Sequence, residues 1–270
     1  MSNYFSSLSI VKKISAGFWV IIFFLVAIAT VAYFSLTANS NSFKQYRSIA
    51  KETNAVSRVQ ANLLITRMNV KDFIIRGTQA EIDETLKYAK KTEGLIKDLI
   101  PTPKEPATDN ENLQTLEKQL EEINRYIDNF NKVSELQQQR NQKVEILNTL
   151  GPKMRKELSQ VMDSAYEDDD AVAAYHGGVT MTHLMLTRFY ANKYLIENKQ
   201  EDYERALEEA NLTFEKARVL KSELQNPERF RLATAVYEQA SQYKKTFEEV
   251  FNIIEERNFI ITEKLDKIGP

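Results

Sequence analysis

The sequence predicts an all-α protein, with one apolar N-terminal helix followed by a six-helix module. That module reads as two stacked four-helix bundles sharing two long helices. Three observations carry this. Residues 14–36, ISAGFWVIIFFLVAIATVAYFSL, hold no charged side chain. Downstream, apolar residues recur at spacings of three and four, the period of a helix with one buried face. The 270 residues include only seven Gly and six Pro, too few breakers for sheets with tight turns.

The apolar stretch is long enough to cross a hydrocarbon core of ~30 Å as one helix. Lys12 and Lys13 precede it and favour a cytoplasmic start, so 1–13 reads as a cytoplasmic tail and 14–36 as a transmembrane helix. A cleaved signal peptide shares the basic start and the apolar core. This run is longer than such a core needs, and Leu36-Thr37-Ala38-Asn39 offers no clean cleavage site. Both readings put residues 38–270 on the outer face of the plasma membrane, periplasmic or extracellular. The absence of Cys fits an exported chain without disulfides as well as a cytosolic one.

A polar patch, Thr37 to Ser42, leads into the first helix of the module, expected over 40–76 with Val56, Val59, Leu63, Thr66, Val70 and Phe73 as its seam. Gly77-Thr78 ends it, and a second helix covers 80–99. Pro101 to Asn110 holds three prolines and reads as a loop. A long third helix starts at 111 with Leu113, Leu116, Leu120, Ile123, Ile127 and Phe130. Gly151-Pro152 should kink or interrupt it before Met154, Leu158 and Val161 revive the pattern.

The run Glu167-Asp168-Asp169-Asp170 marks an exposed end. It lacks the alternating spacing and closing Glu of a calcium loop, so a solvated turn is the simpler reading. Helices over 171–197, with Gly177-Gly178 as a soft spot, and 200–225 follow. After the Asn226-Pro227 turn, a last helix runs beyond 265.

The module repeats itself. At an offset of 121, Thr66, Arg67, Ile75 and Ala89 match Thr187, Arg188, Ile196 and Ala210. At 117, Tyr126, Phe130, Val133, Arg140 and Asn141 match Tyr243, Phe247, Val250, Arg257 and Asn258. Gly151-Pro152 then matches Gly269-Pro270, and by this symmetry further helix and a second span are expected after residue 270. At the helical rise the two long helices would each span ~85 Å.

Arginines stand where a core is expected. Arg140 and Arg257 replace apolar residues of their seams, while Arg67 and Arg188 each follow a seam threonine, Thr66 and Thr187. A guanidinium inside a bundle needs a partner. An internal ion pair or snorkelling to the edge would satisfy it; so would a small carboxylate gripped in a cavity between helices. Helix heights counted from the membrane pair Arg67 with Arg257 in the near bundle and Arg188 with Arg140 in the far one.

Other chemistries find little support. The formal net charge is −2 with no basic block beyond the N-terminus, so nucleic acid is not an expected partner. His176 and His183 are a weak metal case without cysteines. No catalytic triad, zincin motif or phosphate loop occurs, so neither an enzyme nor a cofactor site is read here.

With its anchor, its six-helix spacing, TRMNVKDFIIRG echoed by TRFYANKYLIEN, and its LGP and IGP steps, the chain resembles the helical bimodular sensor domain of bacterial methyl-accepting chemotaxis proteins, found also in sensor histidine kinases. The resemblance spans residues 1–270 and implies an anchored homodimer that binds a small organic acid (a mono-, di- or tricarboxylate). It also implies a cytoplasmic adaptor and kinase, reached through a C-terminal part outside this sequence. Carried over by position, the family's ligand arginines fall on Arg67, Arg188 and Arg257. A second arginine that often stands one turn earlier on the first helix has no counterpart, because Leu64 lies there. The same sensor on a histidine kinase or cyclase, and a membrane-anchored partner-binding helical module, are the alternative readings.

Overall fold

A computed structural model describes residues 9–100 and 110–267. The expected proline-rich loop from Pro101, most of the expected cytoplasmic tail and the closing Gly269-Pro270 lie outside the described residues. The described chain is all helical: α1 (Ile10–Arg76), α2 (Gln79–Lys97), α3 (Asn110–Glu167), α4 (Ala171–Glu197), α5 (Gln200–Glu223) and α6 (Pro227–Ile260). A π-helical turn, Ile261–Leu265, continues α6.

α1 corrects one expectation. The apolar stretch and the first sensor helix are a single element of 67 residues, about 100 Å long at the helical rise. The polar patch does not break it, because no Gly or Pro stands between Gly17 and Gly77. Thr37 also satisfies its hydroxyl within the helix, donating to the Tyr33 carbonyl at 2.8 Å. One window of α1 is long and apolar enough to cross a membrane, and none of it is buried against the rest of the protein. Farther up, α1 buries Asn62, Thr66, Val70 and Phe73, whereas the expected seam residue Val56 faces outward.

Helix ends are set by specific residues. Gly77 (φ 65°) and Asn198 (φ 51°) close α1 and α4 in the left-handed conformation, their N–H groups donating to Phe73 and Tyr194 carbonyls. These two residues are one repeat length apart. Asp170 caps α4 by accepting from the Ala173 N–H at 3.0 Å. Asn226 caps α6, accepting from Glu228 and Arg229 N–H groups ahead of Pro227 in the first turn.

α3 runs through Gly151-Pro152 without a break, because Leu150 and Met154 on either side are buried and hold the helix on its neighbours. Gly177 is a close approach rather than a soft spot: a Cβ there would lie 2.8 Å from Met162 Cγ of α3. α1 and α2 form one hairpin, α4 and α5 another. α3 and α6 pack against each other in antiparallel sense, since Gln137, Lys143 and Glu157 meet Arg257, Glu249 and Gln239 in that order.

Buried apolar residues fall into two clusters. One joins Val70 and Phe73 of α1, Ile82 and Ile96 of α2, Tyr126 and Phe130 of α3, and Ile260 and Leu265 at the end of α6. The other joins Met154 and Leu158 of α3, Leu184 of α4, Leu220 of α5, and Phe247 and Ile254 of α6, among others. Repeat partners occupy equivalent places, with Tyr126, Phe130 and Val133 buried in one copy and Tyr243, Phe247 and Val250 in the other.

The acidic turn is exposed at Glu167, Asp168 and Asp169, as expected, but it is not merely solvated. Arg229, buried in the first turn of α6, donates to Asp168 at 2.7 Å, to Asp170 at 3.0 Å and to the Ser164 carbonyl at 3.0 Å.

Candidate functional site

The site begins with two helix ends. A Cβ on Gly77, closing α1, would lie 3.2 Å from the Gln137 Nε2 of α3. The end of α4 reaches the same stretch of α3, where Arg140 donates to the Leu195 carbonyl at 3.2 Å. Leu195 is in the last turn of α4, whose final carbonyls have no partner within the helix. The C-terminal ends of α1 and α4, both of negative partial charge, therefore approach one short length of α3.

α6 passes the same level. Arg257 donates to the Gln137 side-chain carbonyl. Gln137 Nε2 donates to Asn141 Oδ1 at 3.2 Å, and Arg140 Nη1 donates to that same oxygen at 3.2 Å. Arg257 also donates from Nε and Nη2 to Asn258 Oδ1, at 3.2 and 2.9 Å. Gln137 and Arg140 lie three apart on α3 and share a face. Two guanidiniums are thus joined through Gln137 and Asn141, and every acceptor they touch is a neutral amide or peptide carbonyl.

This explains the repeated Arg-Asn dipeptide. In both copies the asparagine accepts from the arginine before it. Burial lowers the pKa of Arg140, and burial together with the neighbouring Arg140 charge lowers that of Arg257. Both remain cations at any physiological pH, because arginine starts so high. Tyr194 of α4 is fully buried in an aromatic group with Tyr203, Phe247 and Phe251. Its hydroxyl has no hydrogen-bond partner among the described residues. Burial pushes its pKa up; exposed Glu255 adds to this, and the Arg257 and Arg140 charges oppose it.

The expected pairing of arginines is not the one observed. Arg257 meets Arg140 instead of Arg67, because α6 lies against α3 in the register set by Lys143–Glu249 and Gln137–Arg257. Arg67 acts on Tyr126, which lies below Gln137 on α3 by about 16 Å at the helical rise. Arg188 packs on Gly151, where a Cβ would come within 2.7 Å of its Nε, and lies about the same distance from Arg140 on the other side. Its charge acts on Tyr243, the repeat partner of Tyr126.

Thr66 and Thr187 are buried, and their hydroxyls donate along their own helices to Asn62 and His183 carbonyls. Thr187 also meets Thr213 at 3.0 Å. Together with Met154, Leu184 and Tyr243 these two threonines line about 160 Å³ of space, nowhere wide enough for a water molecule. All four arginines are half-buried. Among the described residues none of them forms an ion pair, unlike Arg205 or Arg229.

The histidines separate. His183 Nδ1 lies 2.8 Å from Glu209 Oε2, and Arg205 holds the other oxygen of that buried carboxylate at 2.8 Å. His176 sits edge-on to Tyr175. Among the described residues no three His, Cys, Asp or Glu side chains gather as a metal site would require.

Gln137 and Tyr194 escaped the sequence reading, and Asn141 and Asn258 entered it only as repeat partners, not as site residues. The doubled Arg-Asn step was the only signal for the two asparagines, and it pointed to the arginines alone.

Comparison with curated proteins returns no match. A family model described as a four helix bundle sensory module for signal transduction matches residues 7–174. That match takes in the apolar stretch, the whole of α1, α2 and α3, and the first turn of α4. An apolar helix that runs unbroken into a helical sensor accounts for most of the chain, which belongs to the four-helix-bundle sensory modules for signal transduction.

Proposed function

We propose that this chain is the extracytoplasmic sensor region of a transmembrane chemoreceptor, binding a small organic acid and passing that event through α1 to the cytoplasm. The observation that carries the reading is the continuity of α1 from the apolar stretch to Phe73 in the first buried cluster. A membrane span and a sensor wall in one helix form a direct mechanical connection. Lys12 and Lys13 favour a cytoplasmic start, with the sensor periplasmic or extracellular. A cytoplasmic adaptor and kinase would receive the signal.

The two buried clusters support an architecture of two stacked four-helix bundles over 38–270. α1, α2, α3 and the end of α6 would build the near one, and α3, α4, α5 and α6 the far one. Organic acids are the ligand class because Arg67, Arg140, Arg188 and Arg257 are half-buried without a carboxylate partner among the described residues. Such charges bind carboxylates bidentately and gain from doing so.

A second copy of the chain is the expected partner. Leu64, Met68 and Ile75 form an exposed apolar stripe on α1, repeated by Met185, Phe189 and Ile196 on α4. Their spacing suits a helical seam about a twofold axis.

Thermal unfolding of the full chain in detergent, with acetate, succinate or citrate added in turn, tests the acid reading. A midpoint raised by at least one acid in a saturable way is expected. No rise with any of them overturns it.

A further inference from the structure

The charged side chains most deeply buried among the described residues each have a partner of opposite sign. Arg229 has Asp168 and Asp170, and buried Glu209 has Arg205 and His183. Buried Asp202 has Lys193 at 2.8 Å. The half-buried pair formed by Arg140 and Arg257 has none among those residues. It holds two positive charges on helices that pass between the two apolar clusters, and among the described residues only Gln137, Asn141, Asn258 and the Leu195 carbonyl accept from it.

Helix ends account for part of that charge. Each C-terminus carries roughly half a negative charge, so the ends of α1 and α4 together offset about one of the two cations. Roughly one positive charge remains, in a half-buried place where solvent screens it poorly. Beside it stands the Tyr194 hydroxyl, fully buried and without a partner among the described residues. Glu255 also acts on that hydroxyl, but it is exposed and pairs with neither arginine.

We propose that Arg140 and Arg257 form a single anion site at the level where α1 and α4 end, and that one short dicarboxylate binds across both guanidiniums. Each guanidinium presents a planar fork that suits one carboxylate. Arg257 lies opposite Gln137 and Glu249 opposite Lys143, so Arg140 stands within about one helical turn of Arg257. A single short diacid can span that separation, while a monocarboxylate satisfies only one fork. The site rests on the organic-acid reading above and relocates it, from inside either bundle to the contact between them. Bound there, the ligand ties α3 and α6 to each other and to the last turn of α4, so that the two halves of the sensor respond as one.

The test uses the full chain in detergent and calorimetric titration with succinate, acetate and inorganic phosphate. Arg140→Gln and Arg257→Gln each weaken succinate binding at least tenfold. The double variant loses little more than either single one, because one ligand needs both forks. Arg140→Lys keeps the charge but not the fork, and it too weakens succinate at least tenfold. Arg67→Ala and Arg188→Ala stay within about twofold of the wild type. Far-ultraviolet circular dichroism of each variant separates lost binding from lost fold.

Succinate binding unchanged in Arg140→Gln and Arg257→Gln but lost in Arg67→Ala or Arg188→Ala overturns the junction site and leaves the acid reading intact. Equal loss of acetate and succinate overturns the two-fork geometry. Phosphate binding at this pair in place of every acid overturns the dicarboxylate assignment. Absence of binding by all three probes overturns both the site and the acid reading.

Discussion

The buried Arg229 guanidinium lies 2.7 Å from the Asp168 carboxylate and so fastens the start of α6 to the end of α3. Asp168 is half exposed while Arg229 is almost fully covered, so the two partners are not equivalent to remove. Changing Asp168 and Asp170 together to Asn leaves a covered cation with neutral acceptors but no counter-charge, a loss of about 3–5 kcal/mol. Arg229→Met leaves carboxylates that reach water and should cost clearly less. Urea unfolding of both variants decides it, and the reverse order of midpoints would refute this account of the turn.

Alkaline pH should unfold the protein through its buried tyrosines. Burial raises the pKa of Tyr126 and of Tyr243 from the ordinary value of 10.0 to about 12. Each phenol is held in its neutral form by the fold. Its contribution is therefore whole below pH 10 and is lost as pH rises through the folded value, about 3 kcal/mol apiece. Tyrosinate absorbance should show these residues ionising last, together with the loss of helicity. Their titration near pH 10 in a fully helical protein would contradict the burial argument.

Gly151→Ala tests the seating of Arg188. The new Cβ would come within 2.7 Å of its Nε and 2.9 Å of its Cδ, so the half-buried side chain must swing away. Alanine gains up to about 1 kcal/mol of helix propensity over glycine. We expect a midpoint unchanged or slightly raised, and a higher Tyr243 pKa once the Arg188 charge has moved off. A midpoint lowered by several degrees would mean that Arg188 is wedged in place.

Much of the helix pattern was legible in the sequence because breakers announce themselves. Gly77 and Asn226-Pro227 ended and began helices where their backbone preferences require. The union of the apolar stretch with the first sensor helix was harder to read. Ser, Thr and Asn lower helix propensity without forbidding a helix, and Thr37 bonded to Tyr33 shows how the patch is accommodated. Gly177 looked like weakness by propensity alone, whereas the nearness of Met162 gives it a packing reason that no single-helix pattern contains.

The four arginines were legible as residues out of place, but their partners were not. Counting residues along each helix fixes height only if the register between helices is known. That register is set by contacts such as Lys143 with Glu249, which join positions far apart in sequence. An offset of a few turns was enough to exchange Arg67 for Arg140 as the neighbour of Arg257.

The unbroken α1 makes the sensor a lever. From Phe73, where it is gripped, to Trp19 in the apolar stretch is about 80 Å of helix at the standard rise. Tilting the gripped end by only about 3° would carry the Trp19 level sideways by about 4 Å, close to one helical rise of three residues. Movements too small to disturb the packing of Val70 and Phe73 would be magnified along a helix of this length. A substitution that bends α1 anywhere between these points would absorb that displacement without touching a single residue of the sensor core.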